Sequence, residues 1–305
     1  MKIIFFGTRH FAAMILEGLL SSPNFSVGLV ITPPDKPVGR HQEEQKPLVK
    51  ILAEKNHLPV AQPISLKNFK LNFDEYDLGV SAQYGLLIPP TLLNGLKHGI
   101  INVHPSLLPK YRGASPLQSA ILNGETETGV TIMKMDAGLD TGPILAQKKV
   151  IIEPDDTYSI LEQKTSQMAI SMLLKAIPEY VKGHLKPQPQ NNTLASSCHR
   201  LTREQGRIDW HKPAYEIYNQ WRAFQPWPGV FGEFKKLRIK ILKMRPAQTQ
   251  DVIIDETKDF FPFIKLNKKT LGLMAGDGKL LLIDELQPEG KRPMTAEAFI
   301  NGYLK

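Results

Sequence analysis

The sequence predicts an α/β fold in which a largely parallel sheet covered by helices is followed by a smaller β domain. Three observations carry this prediction. The first half alternates short apolar runs with helix-like segments, which is the pattern of parallel sheets. The part after residue 230 contains short strand-like runs separated by turn signals, which favours a small barrel or sandwich. At 305 residues the chain is also longer than one ordinary domain.

Each predicted element of the first part has its own local signal. Strands are predicted where β-branched and aromatic residues form short runs, and helices where apolar residues recur at helical spacing. In the longest helix Leu161, Thr165 and Met168 lie on one stripe, and Gly183 ends the helix. The predicted strands are 2–6, 27–31, 78–82, 100–104 and 130–135, and the predicted helices are 11–20, 48–55 and 157–182.

A connector is predicted before the second part. Residues 183–206 are rich in proline, glutamine and asparagine and lack apolar periodicity, which is typical of a linker. We therefore expect one domain at 1–185, a linker at 186–206 and a second domain at 207–305. The second domain is predicted to begin with a helix at 208–224, followed by strands at 230–234, 238–243, 271–274 and 279–285.

Composition indicates a protein that folds in water. Hydrophobic residues make up 42% and charged residues 22% of the sequence, the balance of a soluble globular protein. No apolar run approaches the roughly 20 residues that a membrane-spanning helix needs. The first seven residues read as a strand and are too short for a signal peptide. Cys198 is the only cysteine, which is typical of a reducing compartment. We expect a cytoplasmic protein with no membrane partner.

Positive charge is concentrated in the second part. The net charge is +8, and residues 200–245 alone hold 11 Lys or Arg against 4 Asp or Glu. A local basic excess attracts polyanions by releasing their counterions. Nucleic acid binding and a solvated surface chosen for solubility both explain this excess.

Asn102 and His104 form the most informative pair of the sequence. They are two residues apart on a predicted strand, so their side chains point to one face. Pro105 ends that strand and opens a loop punctuated by prolines and glycine. Taken alone, the pair could be two satisfied polar residues near a strand end. The elaborate loop favours a functional pair, because packing alone rarely requires such a loop.

A second punctuated loop, 136–142, follows the next predicted strand and contains Asp140. Gly138 and Gly142 are expected to adopt positive φ and to let the backbone approach a ligand. A carboxylate beside His104 would favour its charged form and orient the ring. An amide, an imidazole and a carboxylate together suit acyl transfer, in which donors stabilise an oxyanion and a base moves protons.

Other chemistries are less well supported. The first turn, 6–12, lacks the three-glycine dinucleotide fingerprint. The loop 136–142 has too few acidic residues for calcium, and one cysteine with scattered histidines gives no zinc site, so no metal is expected. The loop 32–40 carries two cations and is a candidate substrate loop or an ordinary one. The aromatic segment 222–229 is more simply a packing hinge than a platform for bases.

Short segments along nearly the whole chain match one family. In the first part they are Phe6 to Thr8, Pro34 to Pro37, Tyr84 to Pro89, Asn102 to Pro109, Tyr111 to Ala114, Glu127 to Ile132 and Met135 to Gly142. In the second part they are Arg207 to Trp210, Arg222 to Pro228, Gly276 to Gly278 and Leu286 to Lys291. On these motifs the chain resembles the methionyl-tRNA formyltransferases. The block around Asn102 is shared by all 10-formyltetrahydrofolate-dependent formyltransferases, and the motifs of the second part narrow the choice.

The resemblance implies a fold and a reaction. The fold would be a Rossmann-like formyltransferase domain followed by a small OB-like β-barrel that helps to hold tRNA. The reaction would transfer a formyl group from 10-formyltetrahydrofolate to the α-amino group of methionine on initiator methionyl-tRNA. Asn102 and His104 would stabilise the oxyanion, and Asp140 would hold the charge of His104 and help to remove the amine proton. The resemblance also implies a monomer.

Two sets of binding residues follow from the resemblance. Folate would contact residues of three loops, namely Tyr84, Gly85, Leu86, Leu87, Ile88, Pro89, Ser106, Leu107, Leu108, Pro109, Gly138 and Thr141. The tRNA would contact Lys36, Arg40, Arg222, Lys235, Lys236 and Arg238.

Two departures from the family pattern bear on these expectations. Glu43 and Glu44 follow Arg40 where the family carries basic residues, and their carboxylates would repel phosphate. Residues 247–270 match the family poorly. The alternative function is a related formyltetrahydrofolate enzyme that acts on a sugar nucleotide or hydrolyses the formyl donor, although such relatives tend to carry an additional domain. A non-catalytic RNA-binding protein is disfavoured by the intact polar cluster.

Overall fold

A computed structural model describes residues 1–38, 43–248 and 262–304. Contacts group the chain into two compact units. The first unit comprises Met1–Pro116, Glu127–Ile151 and Leu161–His199, and the second comprises Leu117–Thr126, Ile152–Ile160 and Arg200–Lys305. The predicted linker is therefore divided, because its residues up to His199 belong to the first unit.

The first unit contains eleven of the strands that the structure describes. They are β1 (Lys2–Gly7), β2 (Ser26–Ile31), β3 (Lys36–Val38), β4 (Glu43–Gln45), β5 (Val60–Ala61), β6 (Leu78–Ala82), β7 (Ile100–His104), β8 (Arg112–Gly113), β9 (Glu127–Lys134), β10 (Ile144–Ile151) and β11 (Ser197–Cys198). The helices of the same stretch of chain are α1 (His10–Leu20), α2 (Leu48–Lys55), α3 (Pro90–Gly95), α4 (Pro116–Leu122) and α5 (Tyr158–Val181).

The main sheet has the strand order β10-β9-β7-β6-β1-β2-β5. Strands β5, β2, β1, β6 and β7 are parallel, whereas β9 and β10 are antiparallel additions at one edge. This confirms the predicted α/β class. Because the carboxyl ends of parallel strands meet at one edge of the sheet, the loops after them can build a common site.

Strand β1 shows why this sheet needs helices on both faces. Its side chains alternate between two apolar clusters, with Ile3 and Phe5 in one and Ile4 and Phe6 in the other. All four residues are fully buried. A strand buried on both faces requires a continuous apolar run, which is what residues 3–6 provide.

The second unit is built on an antiparallel sheet. Its strands are β12 (Val230–Phe234), β13 (Leu237–Pro246), β14 (Phe263–Lys265), β15 (Leu271–Met274), β16 (Leu280–Pro288) and β17 (Met294–Thr295), and its helices are α6 (Ala214–Phe224) and α7 (Ala296–Tyr303). The order is β12-β13-β16-β15-β14, with β17 on β16. Within the described residues the sheet curls into a half-barrel. This half-barrel corresponds to the small β-barrel that the sequence predicts.

One boundary in the second unit differs from the prediction. The helix expected from residue 208 begins at Ala214, after Pro213. The preceding residues are not helical, because the Ile208 N–H donates to the carbonyl of Phe231 and the Lys212 N–H closes a turn on the carbonyl of Asp209. The apolar residues at 208 and 210 therefore pack on the sheet and do not extend the helical stripe. None of the described helices is both long and apolar enough to cross a membrane.

Candidate active site

Asn102 and His104 lie at the carboxyl end of β7, where the sequence places them. Asn102 is 9% and His104 5% exposed. Strand β7 is hydrogen-bonded to β6 on one side and to β9 on the other, and His104 pairs in register with Thr131. Two polar side chains are thus fixed on an inner strand, where each needs partners.

Both ring nitrogens of His104 face polar groups. Nε2 lies 2.9 Å from the carbonyl oxygen of Tyr111, and a carbonyl can only accept. Nε2 therefore donates, and it carries the hydrogen of the neutral ring. Nδ1 lies 3.6 Å from Oδ2 of Asp140, within ion-pair distance but too long for a hydrogen bond. Nδ1 is the ring atom that can still exchange a proton with a ligand.

Asp140 is oriented by two neighbours besides the imidazole. Its Oδ2 accepts a 2.8 Å hydrogen bond from the backbone N–H of Gly113, and its Oδ1 lies 3.5 Å from Nδ2 of Asn102. Only 13% of its side chain is exposed. The structure thus brings together the amide, imidazole and carboxylate that the sequence singles out.

The loop after His104 is held by a buried threonine that sequence reasoning does not single out. Thr131 Oγ1 donates to the Ser106 carbonyl at 2.6 Å and accepts from the Leu108 N–H at 3.1 Å. Gln147 Nε2 donates to the same hydroxyl and to the Leu108 carbonyl, both at 2.8 Å. A polar residue in the middle of an apolar strand is the signal that identifies Thr131. No local signal identifies Gln147.

Gly113 is required by close backbone approach. A Cβ at this position would lie 2.2 Å from the carbonyl oxygen of Cys198, and the residue has a φ of +116°. This approach is the pairing of β8 with β11. The strand pairing places the Gly113 N–H within hydrogen-bond distance of the Asp140 carboxylate. Gly113 therefore helps to position Asp140.

The glycines of the 136–142 loop do not behave as expected. Neither Gly138 nor Gly142 has positive φ; Asp140 does, at +52°. Gly142 is needed instead because a Cβ there would lie 1.9 Å from the Lys134 carbonyl. The prediction was wrong about which residue is left-handed, because a carboxylate held by the Gly113 N–H can sustain that conformation.

Three of the six non-glycine residues with positive φ in the described part of the chain lie in the loops after the sheet strands or beside His104. Gln83, Tyr111 and Asp140 have φ of 44°, 61° and 52°. Such conformations are uncommon for residues with a Cβ, and they persist where the surroundings over-determine them. Two of the three directly hold His104, through the Tyr111 carbonyl and the Asp140 carboxylate.

Several polar atoms at the same edge of the sheet have no partner. They are Thr8 Oγ1 after β1, Thr32 Oγ1 after β2, and Gln83 Oε1 and Tyr84 Oη after β6; all are buried without a hydrogen-bond partner among the described residues. Burial also raises the pKa of Tyr84, so its hydroxyl stays a donor. A bound ligand or ordered waters reaching this edge would supply the missing partners.

The residues expected to contact folate divide into three groups by exposure. Gly85 and Leu87 are exposed, with Leu87 82% accessible, which suits ligand contact. Ile88, Ser106 and Leu108 are buried in the scaffold, and the Ser106 hydroxyl donates to the carbonyl of Lys110. The half-buried group is Tyr84, Leu86, Pro89, Leu107, Pro109 and Thr141, and Gly138 is exposed.

Family models match both halves of the chain. Formyl transferase matches residues 1–177, and the formyl transferase C-terminal domain matches residues 200–304. The methionyl-tRNA formyltransferase of Dictyoglomus turgidum is 42% identical over 99% of this chain and 96% of its own length. That of Caldicellulosiruptor saccharolyticus is 39% identical over 99% and 97%. The chain belongs to the methionyl-tRNA formyltransferase family.

A solved structure of an N-formyltransferase supports the fold of this family member. The enzyme from Helicobacter canadensis, crystallised with folinic acid and dTDP-3-aminofucose, superposes with a TM-score of 0.66 at 24% identity. The match covers 93% of this chain and 98% of that one. At this identity the likeness concerns the fold, whereas the relatives near 40% identity show that the protein is a formyl-transferring enzyme.

Four of the six residues expected to contact tRNA are exposed or lie on an open hairpin. Lys235 and Lys236 form the exposed turn between β12 and β13, and Arg238 follows on β13. Lys36 begins β3. Arg40 lies outside the described residues.

Asp35, which directly precedes the hairpin of β3 and β4, is held by two hydrogen bonds. Asp35 accepts from Lys50 Nζ at 2.6 Å and from Gln62 Nε2 at 2.7 Å. The hydrogen bond from Lys50 lowers the pKa of Asp35. Glu43 and Glu44 lie on the exposed strand β4, where their charges face solvent.

Arg222 does not lie where a tRNA contact requires it. It is 5% exposed, and its guanidinium donates to the carbonyl of Asp156 at 2.9 Å and to Asn219 Oδ1 at 2.6 Å. Burial lowers its pKa. Arg222 was predicted to contact phosphate because it is a basic residue in a matched motif, but it lies on the buried face of α6. Arg222 is instead a structural residue of the second unit.

Replacing Arg222 with methionine should destabilise the second unit by about 2–4 kcal/mol, because buried acceptors on Asp156 and Asn219 lose their donor. All three tryptophans lie at 210–227 in this unit. Tryptophan fluorescence during urea unfolding of the full chain therefore reports the effect. Lys212→Met, which removes an exposed charge, is the control and should change stability by less than about 0.5 kcal/mol. Equal unfolding midpoints for both variants would contradict the structural role.

Proposed function

We propose that this protein transfers the formyl group of 10-formyltetrahydrofolate to the α-amino group of methionine on initiator methionyl-tRNA, in the cytoplasm, for translation initiation. The observation that carries the proposal is the cluster of Asn102, His104 and Asp140 at the carboxyl edge of the parallel sheet. Family membership supports the acceptor, because relatives that share about 40% of this sequence over 99% of the chain are methionyl-tRNA formyltransferases.

In this proposal the work is divided among the three side chains. When the amine attacks the formyl carbon, negative charge develops on the formyl oxygen and the amine must lose a proton. Asn102 is the N–H donor for the oxyanion. His104 has one nitrogen to offer, because its Nε2 is bound to the Tyr111 carbonyl. Its Nδ1 receives the amine proton, and the carboxylate of Asp140 at 3.6 Å stabilises the charged ring. The oxyanion then collapses, the bond between the formyl carbon and N10 of the folate breaks, and the proton on Nδ1 passes to N10 of the departing tetrahydrofolate.

The two substrates reach the protein on different surfaces in this proposal. Folate would contact the exposed residues after β6, where Leu87 and Gly85 are open, and the loop containing Gly138. The tRNA would contact the basic hairpin at Lys235 and Lys236. The protein would act as a monomer.

The direct test is an assay of formyl transfer from 10-formyltetrahydrofolate to methionyl initiator tRNA, with an amino-sugar nucleotide as the second acceptor. We expect turnover with the tRNA and none with the sugar nucleotide. Release of formate without either acceptor would support the hydrolase alternative. Formylation of the sugar nucleotide alone would overturn the proposed acceptor.

Replacing the two lysines of the turn Lys235-Lys236 should raise the stability of the protein and weaken its binding of tRNA. Both lysines have positive φ, 47° and 65°, in a two-residue hairpin turn that favours Asn-Gly. The double replacement Lys235→Asn and Lys236→Gly should therefore raise stability by about 1 kcal/mol. It should also weaken tRNA binding, because two charges are lost. Urea unfolding and a tRNA binding titration measure the two effects.

The control for this turn is the double replacement Lys268→Gln and Lys269→Gln. These lysines lie in the exposed turn between β14 and β15, so the same charge is removed without relieving positive φ. We expect a smaller loss of tRNA affinity and no gain in stability. A stabilised Asn-Gly variant with unchanged tRNA affinity would show that the hairpin does not contact tRNA.

A further inference from the structure

One stretch of the chain runs along both loops that hold His104. It comprises residues 190–198, inside the predicted linker and outside the motifs that carry the family resemblance. Its last two residues form β11, which pairs in parallel with β8. Ser196 continues this pairing, because its N–H donates to the carbonyl of Pro109 at 3.2 Å and its carbonyl accepts from the Arg112 N–H at 2.9 Å. We call this stretch the strap.

Gln190 joins the two loops through its side-chain amide. Its Nε2 donates to the carbonyl of Asp140 at 2.9 Å and to that of Gly142 at 2.7 Å. Its Oε1 accepts from Nη2 of Arg112 at 2.7 Å and from Nε of the same guanidinium at 3.1 Å. Carbonyls only accept and a guanidinium only donates, so these partners use both amide hydrogens and both lone pairs in one orientation. This half-buried amide therefore fixes the main chain that carries the Asp140 carboxylate.

Ser196 acts on the other loop. Its Oγ accepts a 2.9 Å hydrogen bond from the Tyr111 N–H. The carbonyl of Tyr111 in turn accepts from His104 Nε2. The serine hydroxyl thus holds one end of the residue whose other end orients the imidazole, and loss of this contact would let the Tyr111 carbonyl turn away from the ring.

Both residues that hold His104 have positive φ, and both are bound by the strap. Asp140 has a φ of 52° and Tyr111 a φ of 61°. Residues with a Cβ rarely adopt this conformation, and they keep it where their surroundings over-determine it. Gln190 and Ser196 each supply one of the fixed contacts. The strap therefore helps to hold two unfavourable conformations on which the position of the imidazole depends.

We propose that Gln190 is a positioning residue for formyl transfer and acts through Asp140. Ser196 has the same role and acts through Tyr111. The proposal rests on the proposed function, because the position of Asp140 affects the rate only if its carboxylate stabilises the charged ring of His104. The strap is then part of the catalytic centre, where the sequence predicts a linker.

The test is a double-mutant cycle in the full chain. Gln190→Met removes the four hydrogen bonds of the amide to Asp140, Gly142 and Arg112 and keeps a side chain of similar length. We expect kcat to fall roughly 10- to 100-fold, because a misplacement of about 1 Å costs about 10²-fold, while KM for tRNA stays within about twofold. In an Asp140→Asn background the same change should slow the reaction by less than about twofold, since the charge that Gln190 positions is already absent. Single-turnover rates measure each variant, and circular dichroism checks its fold.

Gln188→Met is the matched control. Gln188 lies two residues before Gln190, and its exposed side chain donates to the Lys186 carbonyl at 3.4 Å. The same chemical change there should leave kcat within about twofold. Gln190→Glu keeps an acceptor for Arg112 but has no amide hydrogens for the two carbonyls, so it should be as slow as Gln190→Met. It carries the test if the methionine variant does not fold.

Ser196 is tested by removing and restoring its hydroxyl. Ser196→Ala leaves the Tyr111 N–H without its side-chain acceptor, and kcat should fall by about three- to tenfold, the worth of one ordinary hydrogen bond. Ser196→Thr keeps the hydroxyl and should return kcat to within about twofold of the wild type.

Two results would overturn the role of Gln190. One is a Gln190→Met protein with the wild-type kcat. The other is an undiminished effect of Gln190→Met in the Asp140→Asn background, which would show that the glutamine acts independently of the carboxylate. Equal rates for Ser196→Ala and Ser196→Thr would overturn the role of Ser196. A wild type that formylates the amino-sugar nucleotide but not tRNA would contradict the proposed acceptor alone, and the same cycle is then measured with that acceptor.

Discussion

Replacing Asp140 with asparagine should lower kcat for formyl transfer on the order of 10³-fold, while the protein stays folded. The amide can still accept from the Gly113 N–H, which preserves the shape of the loop. It carries no negative charge, however, so it cannot stabilise the charged ring of His104 across the 3.6 Å gap to Nδ1. Single-turnover rates with saturating 10-formyltetrahydrofolate and methionyl-tRNA measure the chemical step directly.

The control for this variant is Asp74→Asn. Asp74 lies in the 3-10 turn Phe73–Glu75 of the same unit and is exposed. The same chemical change there should leave kcat within about twofold, as for most surface substitutions. If Asp140→Asn kept the wild-type rate with an unchanged KM, the carboxylate would have no part in proton removal, and the division of work among the three side chains would be wrong.

Gly113→Ala should cost both stability and activity. Positive φ alone costs an alanine about 1–3 kcal/mol, and its Cβ would lie 2.2 Å from the backbone oxygen of Cys198. Strands β8 and β11 would have to separate, which would draw the Gly113 N–H away from Asp140. We expect a destabilisation of about 3 kcal/mol or more, and a loss of kcat in the protein that remains folded.

Gly302→Ala is the matched control for that change. Gly302 lies in α7 with open space where a Cβ would be, and its φ is not positive. Alanine there should stabilise the protein by up to about 1 kcal/mol. Thermal unfolding monitored by circular dichroism compares the two. A Gly113→Ala protein as stable and active as the wild type would show that β8 and β11 can separate without moving Asp140.

Sequence patterns predict the elements that have a strong local signal, whereas strand β10 and helices α3, α4 and α7 were not predicted. The buried run at residues 3–6 identifies a strand covered on both faces, and the stripe from Leu161 identifies α5. The spacing of Asn102 and His104 also predicts their common position, because alternation on a strand is a property of the backbone. Asp140 lies beside them because of the path of the loop 136–142. Its position is predicted by the family motif, whereas sequence spacing alone does not predict it.

The parts that the sequence does not reveal depend on main-chain atoms and on long-range contacts. The acceptor for His104 Nε2 is a carbonyl, and any residue at position 111 offers one. The hydroxyl of Thr131 forms hydrogen bonds with residues that lie 16 to 25 positions away in the sequence. The wrong prediction for Arg222 has the same cause. Its charge predicts an exposed side chain, whereas it donates to a main-chain carbonyl, a group that every residue of the sequence carries.

The second unit is discontinuous, and this has a consequence for how the protein is made. Residues Leu117–Thr126 and Ile152–Ile160 belong to it, although they leave the ribosome well before the segment that begins at Arg200. At roughly 5–20 residues per second, these early segments wait on the order of ten seconds for the rest of their unit. Strands of the first unit can pair meanwhile, so the nascent chain passes through a state in which the first sheet has formed while the buried side chains Leu117, Ile121 and Ile152 still lack the rest of their unit.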